Sequence, residues 1–362
     1  MKRRALASAA ATVVVLLTSS LAAAGAPGDD GATLDQRRLG TTAAPAAAPT
    51  VTVRARTGDV QVQRVRVKWH GYKRKRVYQR SAVVPGIGNL SLICRPKATM
   101  VKLYAFDRTA ETQMWLAKYE TKNGVDVVAT KNARIYTYDH ADDNGRGGTG
   151  PTAHEGLNQF TPIEDFSTGY IDGVISQRPG RNRSGTRPDP PPVTAFKINW
   201  WWERFAYPVK DRFCKISAVL TTRLDASRGV NWHGDDDAPG HESQVTTVPG
   251  VGDLEVRCES DRGGAADGDR WITLTPPTSD ASVDVSWISQ EGPVDDHVES
   301  TWLGYDPATG QVGPLPLPRN GMMTLGYTVG GVRRDLIVSS YFITNNRKGP
   351  HRNLCEVAVG EL

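Results

Sequence analysis

Two parts of this chain repeat one another in the same order, and that repeat constrains the fold more tightly than any overall composition. Val84-Pro85-Gly86-Ile87-Gly88-Asn89-Leu90 leads to Cys94, and Val248-Pro249-Gly250-Val251-Gly252-Asp253-Leu254 leads to Cys258 at the same spacing. Upstream of each stands the same tripeptide, Trp69-His70-Gly71 and Trp232-His233-Gly234. Toward the end of each copy Trp200-Trp201 matches Tyr341-Phe342, and Phe213-Cys214-Lys215-Ile216 matches Leu354-Cys355-Glu356-Val357. Between them, with gaps, Gly169-Tyr170 matches Gly326-Tyr327. Self-similarity in this order, with cysteines at two of the anchors, reads as a duplicated domain.

The duplication also orders the cysteines. Four cysteines allow three pairings, but a domain that was whole before it was copied favours Cys94–Cys214 and Cys258–Cys355. Each bridge closes a loop of about a hundred residues, which the chain-entropy estimate values at up to about 4–5 kcal/mol. The separations exclude the CxxC pairs of zinc ribbons and thioredoxin-like sites, and paired cysteines suit an oxidising compartment.

Local patterns predict strands. Leu90 and Leu92 before Cys94, and Leu254 and Val256 before Cys258, alternate as a half-buried strand requires. Val60, Val62, Val65 and Val67 alternate too, with a break after Val62 that predicts a β-bulge. The 36 glycines and 23 prolines interrupt every stretch long enough for an amphipathic helix, so short strands joined by turns are expected throughout. The predicted class is all-β, with two tandem homologous β-sandwich or jelly-roll-like domains and one disulfide within each. The bridge resembles that of an immunoglobulin-like domain, with Trp115 or Trp287 as its core tryptophan. The tyrosine which that family carries two residues before the second cysteine is absent, because Arg212 and Asn353 stand there.

The ends set an address. Lys2, Arg3 and Arg4 precede an apolar run centred on Val13 to Leu17, and Leu21-Ala22-Ala23-Ala24-Gly25 offers a small-residue cleavage site. Residues 1–24 therefore read as a signal peptide. Residues 25–50 are rich in Ala, Pro, Gly and Thr and read as a disordered linker. The two β-domains are expected at 51–222 and 223–362. No later apolar run is long enough to span a bilayer, so no membrane anchor is expected and the chain is assigned to the secreted or cell-wall fraction.

Charge divides the copies. Residues 51–222 carry 28 Lys+Arg against 15 Asp+Glu, and residues 223–362 carry 11 against 21. A net charge of +5 thus hides a basic domain of +13 and an acidic domain of −10. The first copy also holds two longer loops, Asp139 to Phe160 and Arg178 to Val193, the second rich in arginine and proline. Opposite fields steer association and fix orientation. The expected partners are an extracellular polymer or protein, together with pairing between the basic and acidic domains. Nucleic acid is not expected, since export removes the usual target and no binding motif is present.

Candidate site residues fall in three groups. Trp200, Trp201 and Trp202 offer rings for sugar stacking, although in a strand Trp200 and Trp202 face one way and Trp201 the other. His70 and His233 recur between Trp and Gly and read as ligand-binding candidates. The alternative reading is a turn in which Trp packs inward, His bonds a backbone carbonyl and Gly takes positive φ. Asp235, Asp236, Asp237, His241 and Glu242 form the best metal candidate, their carboxylates suiting Ca2+ and their histidines zinc. The matching loop of the first copy is Lys73 to Arg76, so the ancestral domain needed no metal there. Asp139, Asp142, Asp143 and Asn144 lack calcium-loop spacing. There is no G-x-S-x-G elbow, Walker loop or H-E-x-x-H helix. The reading is a secreted, non-enzymatic protein without a required cofactor that presents loops to a polymer, glycan or protein. The alternative is a secreted hydrolase with its site at the domain junction.

Overall fold

A turn of 3-10 helix at Pro350–Arg352 is the one element among the described residues that is not a β-strand. The computed structural model describes residues 52–54, 60–70, 78–94, 99–107, 110–122, 125–135, 152–156, 166–178, 189–203, 213–224, 229–260, 269–290, 296–344 and 349–362. Residues 1–24 and 25–50, expected as signal peptide and linker, lie outside them, as do the Lys73–Arg76 loop, the Asp139–Asn144 stretch and most of both insertions.

The first half contributes β1 (Thr52–Arg54), β2 (Val60–His70), β3 (Tyr78–Val84), β4 (Gly88–Cys94), β5 (Thr99–Ala105), β6 (Glu111–Lys122), β7 (Val125–Ile135), β8 (Thr152–Gly156), β9 (Phe166–Arg178), β10 (Thr194–Glu203) and β11 (Phe213–Arg223). The second contributes β12 (Gly229–His233), β13 (Ser243–Val248), β14 (Gly252–Cys258), β15 (Arg270–Thr275), β16 (Ala281–Gln290), β17 (Asp296–Asp306), β18 (Gln311–Pro316), β19 (Asn320–Val329), β20 (Val332–Ile343) and β21 (Leu354–Glu361).

One sheet runs β1-β2-β11-β10-β9-β6-β7 and a second runs β3-β4-β5-β8. The third is a nearly closed ten-stranded sheet in the order β12-β21-β20-β19-β16-β17-β18-β15-β14-β13. Its first six strands follow the order β2-β11-β10-β9-β6-β7, and its last four reverse the order β3-β4-β5-β8. The halves differ where β17 pairs with β18 through Tyr305↔Val312 and Asp306↔Gln311, which joins two layers into one sheet.

Each repeated motif has a mechanical reason. In Val84-Pro85-Gly86-Ile87 the Ile87 N–H donates to Val84 O at 3.0 Å and Gly86 has φ +72°. Val251 N–H donates to Val248 O at 3.0 Å and Gly250 has φ +77°. Proline followed by positive-φ glycine is the chemistry of a type II turn, and the turn delivers Ile87 and Val251 to full burial. The bridges Cys94–Cys214 and Cys258–Cys355 tie β4 to β11 and β14 to β21.

Alternation decides which side chains build the cores. Along β11, Cys214, Ile216, Ala218 and Leu220 are buried while Lys215 and Val219 are exposed. A one-residue slip would carry Lys215 inward, so the register is strongly specified. One core lies between the seven- and four-stranded sheets, with Leu90, Leu103, Ile198 and Trp202 in it. Another fills the ten-stranded sheet around Trp232, Leu274 and Tyr327. A third joins the halves, where Trp115, Val174 and Ala195 pack with Ile288, Met322 and Ile337.

Four details of the sequence reading are corrected. β2 pairs with β11 without interruption from Val60↔Arg223 to His70↔Phe213, so there is no bulge after Val62. Gln63 takes an inward place instead, accepting from Val83 N–H at 3.1 Å and donating to Val83 O at 2.5 Å. It binds β2 to the edge of the facing sheet. Trp202 pairs with Cys214 as Phe342 pairs with Cys355, so Trp201-Trp202, not Trp200-Trp201, corresponds to Tyr341-Phe342. By the same register Thr168, opposite Trp201, corresponds to Asn320, opposite Tyr341, so Gly169-Tyr170 corresponds to Gly321-Met322, not Gly326-Tyr327. Finally, Trp115 is buried against Tyr341 between the halves and is no inter-sheet core tryptophan.

Candidate functional site

The outer face of the seven-stranded sheet is open over much of its area, and the strand register fixes what it displays. Across β6, β9, β10, β11 and β2 one row runs Tyr119, Tyr170, Asn199, Ser217, Arg66. The row on one side runs Thr168, Trp201, Lys215, Lys68, and on the other Asp172, Lys197, Val219, Arg64. Arg64, Arg66, Lys68, Lys197 and Lys215 are all exposed. Tyr170 and Trp201 are 45% and 42% exposed, high values for aromatic rings.

The rings are pre-organised. Tyr119 and Tyr170 stack with centroids 4.4 Å apart and planes 14° from parallel, which fixes one face of Tyr170 and leaves the ring partly open. Burial, then the nearby Tyr170 and Asp172 charges, push the Tyr119 phenol up to about 12. The Tyr170 phenol is raised by burial and then by Asp172. The Asp172 carboxyl is raised by burial, partly offset by its cross-strand neighbour Lys197. Both phenols therefore remain hydrogen-bond donors at neutral pH. This face offers flat rings, hydroxyls and positive charge side by side.

A second constellation lies between the halves. His233 Nε2 donates to Glu356 Oε1 at 3.0 Å and lies 3.4 Å from Glu111 Oε2. The strands explain the first contact: Trp232 and Cys355 are opposite one another and point inward, so their neighbours His233 and Glu356 point outward together. Glu111, at the start of β6, arrives from the first half. Its Oε2 accepts from Arg178 Nη2 at 3.3 Å and its Oε1 from Gln113 Nε2 at 3.4 Å, while Trp115 Nε1 donates to Gln113 Oε1 at 2.6 Å. Arg178 Nη1 also reaches Asp237 Oδ2 at 3.9 Å. A cavity of about 40 Å³ adjoins the cluster, with Glu356, Gln177, Asn231 and Trp115 in its walls.

The residues singled out from the sequence are dispersed between these places. Trp200 and Trp202 are buried in the first core and Trp201 faces out, as strand alternation requires. His70 pairs with Phe213 through the backbone, and its side chain lies outside the described residues. Trp232 packs inward and Gly234 has φ +74°, but the His233 ring meets a carboxylate, not a backbone carbonyl. Asp235 accepts from Asn353 Nδ2 at 2.8 Å, Asp237 accepts from His233 N–H at 3.1 Å, and Glu242 accepts from Ser260 N–H at 2.8 Å. Asp236 and His241 are exposed. These groups close a turn and do not converge. Among the described residues the three donors that converge are Glu111, His233 and Glu356, and of these only His233 was a candidate from sequence.

No family model, curated protein or solved structure matches this chain.

Proposed function

We propose that this protein is an exported, non-enzymatic binding protein, built from a duplicated β-domain, that holds an anionic cell-surface glycan against the outer face of its seven-stranded sheet. The observation that carries this reading is the set of five exposed cations, Arg64, Arg66, Lys68, Lys197 and Lys215, around the exposed rings of Tyr170 and Trp201. Flat rings take the apolar faces of sugars, and the cations take carboxylates or phosphates along the chain. The repeated strand order and the matching cysteine registers support the duplication. Two disulfides fit an oxidising compartment. Among the described residues no helix is long and apolar enough to cross a membrane.

A hydrolytic role for the junction has less support. His233 and the two glutamates are 5–7% exposed. The adjoining cavity of about 40 Å³ admits water. Substrate pockets are commonly some ~300–1,000 Å³.

Affinity measurements with polygalacturonate, heparin, neutral dextran and a single-stranded oligonucleotide test the proposal. It predicts binding to an anionic glycan, weakening with salt, and a loss of about tenfold, or ~1.4 kcal/mol, in Trp201→Ala and in Lys68→Glu/Lys215→Glu. Equal binding to dextran would contradict the charge argument. Preference for the oligonucleotide would replace the glycan with nucleic acid.

A further inference from the structure

We infer that Glu111, His233 and Glu356 form a site for one divalent transition-metal ion of the zinc class, bound between the two halves of the molecule. The inference does not depend on the glycan-binding reading. All three donor atoms lie within 4.8 Å of one another and all three residues are buried. His233 Nε2 is 3.0 Å from one carboxylate oxygen and 3.4 Å from the other. Ligands about 2.0–2.1 Å from a tetrahedral zinc stand about 3.3–3.4 Å apart, so these spacings need little adjustment.

Charge supplies the second argument. Glu111, Glu356 and Asp237 gather where the side chains are only 5–13% exposed, with Arg178 paired to Glu111 and to Asp237. Buried charge is costly unless compensated, and a dication among three carboxylates supplies such compensation. The surrounding groups suit that role. Arg178 and Gln113 hold the two Glu111 oxygens, and Trp115 holds Gln113, in the manner of the outer partners that orient metal ligands. The cavity that Glu356 helps to line has room for a water. The imidazole favours zinc-class ions over Ca2+ and Mg2+, which prefer oxygen donors alone.

Without metal, the Nε2 hydrogen bridges His233 to Glu356 and Nδ1 has no hydrogen-bond partner. Metal binding replaces that hydrogen with the ion. The Nε2 lone pair becomes a ligand, and the proton passes to Nδ1 or to solvent. The ion would fasten Glu111 of the first half to His233 and Glu356 of the second.

The test uses the untagged full chain, stripped with a chelator and titrated with Zn2+ and with Ca2+, followed by elemental analysis and thermal unfolding. The expected result is one zinc per chain, a higher Tm with Zn2+ and none with Ca2+. His233→Gln and Glu356→Gln should each weaken zinc by at least about tenfold. Substoichiometric zinc in the parent chain, or one tight zinc that survives in both variants, overturns the proposal. If a variant fails to fold, the His233 ring nitrogen shifts of the parent decide: the account requires an Nε2–H to metal-bound Nε2 change on zinc addition, and unchanged shifts contradict it.

Discussion

Trp232 and Cys355 are direct partners across β12 and β21, and Trp69 and Cys214 hold the same relation across β2 and β11. In the second half the tryptophan is fully buried and its Nε1 donates to Cys258 O at 2.8 Å, so one residue braces both ends of its disulfide. The bridge and the strand pairing thus reinforce one another, since each places the same residues inward.

Peptide mapping without reduction is expected to recover Cys94 with Cys214 and Cys258 with Cys355. Cys258→Ser/Cys355→Ser should lose about 2–5 kcal/mol in denaturant unfolding. Recovery of a Cys214–Cys258 peptide would overturn both the pairing and the division of the chain at residue 223.

The junction can be disturbed without touching its charged groups. Gly360 lies on β21 where a Cβ would come within 2.8 Å of Ala195 Cβ and 3.3 Å of its backbone. Gly360→Val is therefore expected to cost about 1–3 kcal/mol by overpacking. It should also expose the third core to proteolysis or dye binding while both disulfides stay intact. Unchanged stability would mean that the halves do not approach each other there.

How much of this was readable beforehand depends on whether the signal was local. Strand alternation, turn chemistry and cysteine spacing are local or repeated, so the all-β class and both bridges were legible. Gln63 was not, because a polar residue at an inward place looks like a break in the pattern until its partner Val83 is known. Neither was the register at Trp201 and Trp202, since adjacent tryptophans match a Tyr-Phe pair equally well in two frames. Glu111 meets His233 only through the packing of one half on the other, which no local pattern encodes. Glu356 was not legible either: the pairing of Trp232 with Cys355, which puts His233 and Glu356 on one face, comes from the strand register and from no local pattern.

Alkaline titration reports on the aromatic face. The Tyr119 value is raised from 10.0 in the unfolded chain to about 12 in the folded one. A raised value means that this group's contribution to stability is complete below pH 10 and is lost as pH climbs through about 12. Denaturation midpoints should therefore fall across that window, with late phenolate absorbance, and Tyr119→Phe should flatten the fall. An identical fall in the variant would place its origin elsewhere, for instance at the fully buried Tyr327, which burial also raises.

The most direct test of the binding account is hydrogen–deuterium exchange of the full chain with and without a saturating anionic oligogalacturonide. The account predicts added protection in β9, β10 and β11, centred on Tyr170, Trp201 and Lys215, and its disappearance in Trp201→Ala/Lys215→Glu. Protection confined to the second half, or no protection with any anionic glycan, would contradict it.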